Sequence, residues 1–151
     1  MTSRRQGAAG IVHANTFIIF GGNDNRDILS TTAVVTEDGQ VTPGPEMPAA
    51  VDDHSIASFN ATTSILTGGV TSATSFSDVT WFFNHVSQEF QPGPSLITGR
   101  SRHASATLQD QDTKINIVAV VGGYNGGVGQ LDSTEFLRNG EWTAGKVIMQ
   151  N

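Results

Sequence analysis

Cysteine is absent from this chain, which removes disulfides and all thiol chemistry while leaving the cellular compartment open. Basic residues are scarce. Eight Lys and Arg against 14 Asp and Glu give a formal charge of −6, which argues against nucleic acid as a partner, since phosphate contacts need clustered cations. No apolar run is long enough to span a membrane. No apolar core follows Met1-Thr-Ser-Arg-Arg5, so no signal peptide is visible; this favours the cytoplasm and leaves secretion open. No stretch of ten residues has helical periodicity, and tyrosine occurs once, at Tyr124. No linker or low-complexity segment divides the 151 residues, so residues 1–151 are expected to form one domain.

Glycine, by contrast, is plentiful, with 17 residues. Three double glycines, Gly21-Gly22, Gly68-Gly69 and Gly122-Gly123, each follow an apolar run of β-formers. Other landmarks recur in phase. Gly7 and His54 each stand 14 residues before the first glycine of their pair, and His103 stands 19 before, with five extra residues in Gln109-Asp-Gln-Asp-Thr113. Val41, Phe90 and Trp142 follow the pairs, each trailed three residues later by Gly44, Gly93 or Gly145 and then by Met47, Leu96 or Ile148. Three ordered copies of about 50 residues constitute an internal repeat. The spacing predicts units at about 4–48, 49–97 and 98–148.

Each copy reads as four short strands: a small-residue strand, the apolar run that Gly-Gly ends, a third strand, and a short fourth carrying Val41, Phe90 or Trp142. Asp38-Gly39 and Asn139-Gly140 mark tight hairpins between the last two. Four antiparallel strands per repeat predict an all-β propeller.

The third copy carries the clearest family pattern, in Arg100-Ser-Arg-His-Ala104, Val120-Val-Gly-Gly-Tyr124, Asp132-Ser-Thr-Glu-Phe136 and Trp142. With its two companions it resembles the kelch repeat, and the resemblance covers the chain from about Arg4 to Ile148. It implies three kelch-type blades: a partial propeller belonging to a longer chain, or half of a six-bladed ring closed by a homodimer. The chain ends where a fourth repeat is due, which favours the fragment.

Antiparallel strand direction places the loop entering the first strand and the loop leaving the second at one rim. Entering loops contribute Arg4, Arg5, Asp53, Arg100 and Arg102; leaving loops contribute Asn23, Asp24, Arg26, Tyr124 and Asn125. By resemblance to kelch substrate adaptors of ubiquitin ligases, Arg5, Arg100 and Arg102 are expected to grip carboxylates of a protein or peptide partner, with Asp53 opposing such a ligand. Gly21, Gly22, Gly68, Gly69, Gly122 and Gly123 are structural repeat positions, as are His54 and His103. No metal or cofactor is expected: the acidic loop 23–27 lacks the glycine and final Glu of a calcium loop, and the glycine-rich 122–129 lacks a phosphate loop's Lys-Ser/Thr. That glycine-rich stretch reads as a flexible connector, and Asn60-Ala-Thr62 as a glycosylation sequon in a surface turn. The expected function is a protein–protein interaction or scaffold module rather than an enzyme. Copper chemistry of the galactose-oxidase kind is excluded by the missing cysteine. The alternative is a sugar-processing, epimerase- or mutarotase-like fragment whose channel forms only on assembly.

Overall fold

A computed structural model describes residues 4–145, and these are all-β. The expected landmark Ile148 lies outside the described residues. The first unit comprises β1 (Ala9–His13), β2 (Thr16–Phe20), β3 (Thr32–Thr36) and β4 (Val41–Pro43). In the second, β5 (Ser55–Ser58) and β6 (Thr63–Thr67) are followed by a small ribbon, β7 (Val70–Ser72) with β8 (Ser75–Phe76), then β9 (Thr80–Asn84) and β10 (Glu89–Pro92). The third repeats this order with β11 (Ala104–Gln109), β12 (Asn116–Val121), the ribbon β13 (Tyr124–Asn125) and β14 (Gly129–Gln130), then β15 (Thr134–Arg138) and β16 (Glu141–Ala144). The main strands form three separate four-stranded antiparallel sheets, each pairing in chain order.

The two-residue period of the strands sorts side chains between the two faces of each sheet, and β6 and β12 are buried almost continuously because both of their faces are covered. Ile18 and Phe20 of the first sheet pack with Met47 against Leu66 and Phe83 of the second. The opposite face of the second sheet, with Ala57 and Ile65, packs with Leu96 against Val118, Val120, Leu137 and Trp142 of the third. The middle sheet is thus apolar on both faces. Phe20 and Phe83 meet edge to face at 5.2 Å, a favourable aromatic geometry that knits the first interface. At the second, the Trp142 indole donates to the Pro94 carbonyl at 2.9 Å. The first strands lie side by side, β1 by β5 and β5 by β11. Ser55 Oγ stands 2.6 Å from Ser105 Oγ, and the Thr107 hydroxyl donates to the Ser58 carbonyl.

One buried threonine opens the third strand of every sheet: Thr32, Thr80 and Thr134. Its carbonyl accepts from the N–H of Gly44, Gly93 or Gly145. A side chain at any of those glycines would run into the threonine hydroxyl, which accounts for the third glycine of the repeat.

Backbone bonds at one end place the units in register. Gln6, Asp52 and Ser101 each exchange two hydrogen bonds of 2.7–3.0 Å with the residue after their own glycine pair, Asn23, Val70 and Tyr124. The next residues, Gly7, Asp53 and Arg102, share a left-handed backbone with φ of 64°, 54° and 55°. Asp53 N–H donates to the Gly7 carbonyl and Arg102 N–H to the Asp53 carbonyl, one link per unit. Gly22 N–H similarly reaches across to the Val51 carbonyl and Gly69 N–H to that of Arg100. This register corrects the phase expected for Gly7, which is the counterpart of Asp53 and Arg102. Ala8 holds the position of His54 and His103, packing as they do against the second glycine of the pair. The cause is the two-residue turn Ala14-Asn15 between β1 and β2, which makes the first hairpin shorter than the second.

The two end faces have no such cover among the described residues. Phe20, Thr67 and Val121 are equivalent positions at the ends of β2, β6 and β12; they are 0%, 1% and 38% exposed. Val12, Phe17 and Val41 on the first sheet are exposed as well. A side chain on Gly21 would strike the Val51 carbonyl and one on Gly68 the Arg100 carbonyl, whereas Gly122 has only the Leu131 carbonyl, 3.5 Å away.

Candidate functional site

The entering and leaving loops do share one rim, tied together by the Gln6–Asn23, Asp52–Val70 and Ser101–Tyr124 bridges. Between the first two units this rim forms an open cleft of about 410 Å3, lined by Gln6, Asn23, Asn25, Arg26, Asp27, Asp52 and Ser72 among others. Carboxamides organise its floor. Gln6 Nε2 donates to Asn23 Oδ1 at 3.0 Å and to Asn25 Oδ1 at 3.2 Å, and Asn23 Nδ2 donates to Asp52 Oδ2 at 2.6 Å. The second Asp52 oxygen is buried against Gly7 with no partner among the described residues, and any side chain at Gly7 would collide with that carboxylate. Asp24 shapes the neighbouring loop by accepting from Arg26 and Asp27 N–H. Those backbone donors, Asp27 first, hold its carboxyl below the ordinary range. Arg26 and Asn25 are exposed at the edge.

The rim arginines divide by orientation. Arg102 is exposed, its side chain 74% accessible, and its Nε donates to Asp53 Oδ2 at 2.7 Å. That partner raises the Arg102 pKa further. Arg4 is also exposed. Arg100 is not at the surface: it is fully buried, which corrects its expected place in the binding set. Its guanidinium donates to the Gly122 carbonyl at 2.8 Å, to the Ser133 carbonyl at 3.3 Å and to Glu135 Oε1 at 2.5 Å. Glu135 accepts in addition from the N–H groups of Ile97 and Thr98. Arg5 holds the same repeat position and turns the same way, with one nitrogen donating to both the Gly21 and Thr31 carbonyls at 3.0 Å. Both arginines therefore clip their own sheet where the glycine pair and the third strand leave carbonyls pointing inward. Of the three arginines expected to grip an acidic ligand, Arg100 is sealed inside, Arg5 is half-buried and tied to the carbonyls of its own unit, and Arg102 is fully at the surface.

Tyr124 and Asn125 lie on the third unit's leaving loop, away from the cleft. That loop is the ribbon β13–β14 rather than a structureless connector: Asn125 Oδ1 accepts from Gly127 N–H, while its Nδ2 ties back to the Gly99 carbonyl at 2.6 Å. Tyr124 packs edge to face on Phe76 at 5.4 Å. No group of three or more His, Cys, Asp or Glu residues able to hold a metal occurs among the described residues.

His54 and His103 are buried where consecutive sheets meet. His103 Nε2 bonds to Thr67 Oγ1 at 2.9 Å, but neither ring nitrogen of His54 has a partner among the described residues. The difference follows from the repeat: the residue equivalent to Thr67 in the first sheet is Phe20, which offers no hydroxyl. Sequence reasoning placed both histidines correctly and missed this asymmetry, although Phe20 and Thr67 stand immediately before their glycine pairs. Gln6 was not among the residues expected at the rim; with Asn25 and Asp52, which lie in loops expected there, it forms a cleft only once the two loops are bridged. The chain matches no protein-family model and no curated protein.

Proposed function

We propose that the three sheets are blades of a kelch-type propeller segment and that the chain works as a protein-interaction module. Its rim cleft takes an extended segment of a partner protein. The observation that carries this reading is the cleft floor of Gln6, Asn23 and Asn25 held on bridged loops. An extended backbone offers N–H and C=O groups alternately, and carboxamides meet both. Loops pinned to sheets supply such groups with little ordering cost. Arg26 and Arg102 lie at the rim on either side of the Asp52-Asp53 pair, so charge along the partner sets its direction and register.

A random-peptide display selection on the full chain tests the proposal. Selected peptides are expected to bind the wild-type protein and to lose at least tenfold in affinity on Arg26→Glu, an exposed substitution that leaves the loop hydrogen bonds in place. Peptides that bind wild type and R26E equally, or a selection that yields none, would overturn it.

A further inference from the structure

The middle unit lacks the internal arginine that the other two possess. Arg5, Val51 and Arg100 occupy one repeat position, since the residue after each exchanges paired backbone bonds with Asn23, Val70 or Tyr124. In the first unit the guanidinium serves the Gly21 and Thr31 carbonyls; in the third it serves those of Gly122 and Ser133. The equivalent carbonyls of the second unit belong to Gly68 and Val79, as the bonds Gly21 N–H to Thr31, Gly68 N–H to Val79 and Gly122 N–H to Ser133 show. Among the described residues no side chain donates to either one. Where the guanidinium would sit is a cavity of about 130 Å3, walled by Val51, His54, Gly68, Val79, Trp81 and Phe90. That volume exceeds what one water needs several-fold. Trp81 stands where Glu135 stands in the third unit, so a π face replaces the carboxylate that Arg100 meets. The buried His54 ring contributes two nitrogens that have no partner among the described residues.

We propose that this cavity receives the arginine side chain of a partner protein, which completes from outside the clip that Arg5 and Arg100 complete from within. The inference does not draw on the rim reading, because the cavity lies between the first two sheets and shares no lining residue with the cleft. Three features select a guanidinium. Two carbonyls on neighbouring segments suit its planar fork, as the other units demonstrate. The Trp81 face attracts a cation that has shed its water. A neutral His54 presents an acceptor lone pair and no opposing charge. Apolar walls from Val51 and Phe90 suit the three-methylene stem. An ammonium is more strongly hydrated and lacks the fork, so lysine is the poorer occupant.

The test follows the indole N–H signals of the full chain by NMR during titration with N-acetyl-arginine methylamide, its lysine counterpart and n-propylguanidinium. Saturable movement of the Trp81 signal by the arginine amide is expected, with the Trp142 signal, tied to Pro94, as a still reference. The lysine amide should bind at least fivefold more weakly. In Val51→Arg the internal side chain fills the site, so the response should vanish and the thermal midpoint rise by several degrees. Val51→Met, which fills the stem's space without charge, should also abolish the response and guards against a V51R chain that fails to fold. A Trp81 signal unmoved by the arginine amide, a response to propylguanidinium alone, or a response that survives in V51R or V51M would overturn the proposal.

Discussion

Arg100→Met is expected to destabilise the protein by about 3–5 kcal/mol, the loss typical of a buried ion pair broken on one side. In a domain of this size that is a fall on the order of 10 °C in thermal midpoint. The size comes from what is stranded. Glu135 is 2% exposed and keeps only two backbone donors, Ile97 and Thr98, once the guanidinium is gone. The Gly122 and Ser133 carbonyls lose their donor at the same time. Arg5→Met removes the same kind of clip from the first unit, but Arg5 is half-buried and Ala33 stands where Glu135 would, so about 1 kcal/mol is expected there. The double change Arg100→Val with Glu135→Trp imports the middle unit's own pairing and should recover much of the loss, because a matched apolar pair leaves no charge unpaired. Urea unfolding of the four proteins gives the comparison. An R100M chain as stable as wild type would show that the guanidinium is not the clip described above.

Acid should destabilise the protein in a defined window. Burial pushes the His54 imidazole down to about 4, against the opposing effect of Asp53. His103 is likewise held at about 4, by burial first and then by the charges of Arg100 and His54. An unfolded chain titrates its histidines near 6.5. Between about pH 6.5 and 4 the unfolded state therefore binds more protons. The stability that the two neutral rings contribute is complete above that window, declines through it and is gone below it. At 1.36 kcal/mol per unit each ring accounts for about 3 kcal/mol. Asp24, Asp38 and Asp110 have carboxyls held below their ordinary 3.8 by local hydrogen bonds, so their contribution fades only at lower pH and does not blur the window. His54→Leu removes a ring that no described residue bonds, and should cut the pH dependence by about half. Denaturation midpoints that stay level from pH 7.5 to 4 would contradict the burial assigned to both rings.

The repeat was legible because its cause is local. A left-handed turn at the end of an apolar strand favours glycine, and both glycines of all three pairs have positive φ. The four-strand order of each unit was legible too, since hairpin signals such as Asp38-Gly39 and Asn139-Gly140 act on the nearest neighbours. What spacing cannot carry is the direction of a side chain. Arg100 and Arg102 are two residues apart in one loop, yet the first is sealed against Glu135 and the second is 74% exposed. Arg5, Arg100 and Arg102 were all expected to reach a ligand for that reason. The phase of Gly7 slipped by one because counting assumes equal hairpins, and the turn at Ala14-Asn15 is shorter than its counterpart. The ribbon β13–β14 was hidden by glycines that looked like a linker, because two-residue strands leave almost no pattern. The vacancy beside Val51 has a sequence signal only in retrospect: valine between two arginines at one repeat position.

Amide hydrogen exchange at four residues reaches the core of the account, that each unit caps the glycine pair of the one before it. Gly22 and Gly69 donate across the two sheet boundaries to Val51 and Arg100, and Asp53 and Arg102 carry the rung-by-rung link to Gly7 and Asp53. These four amides lie in loops by sequence, yet they should exchange as slowly as the strand amides of β6 and β12. Exchange of any of the four at the rate of the exposed turns would mean that consecutive units are not joined in this way.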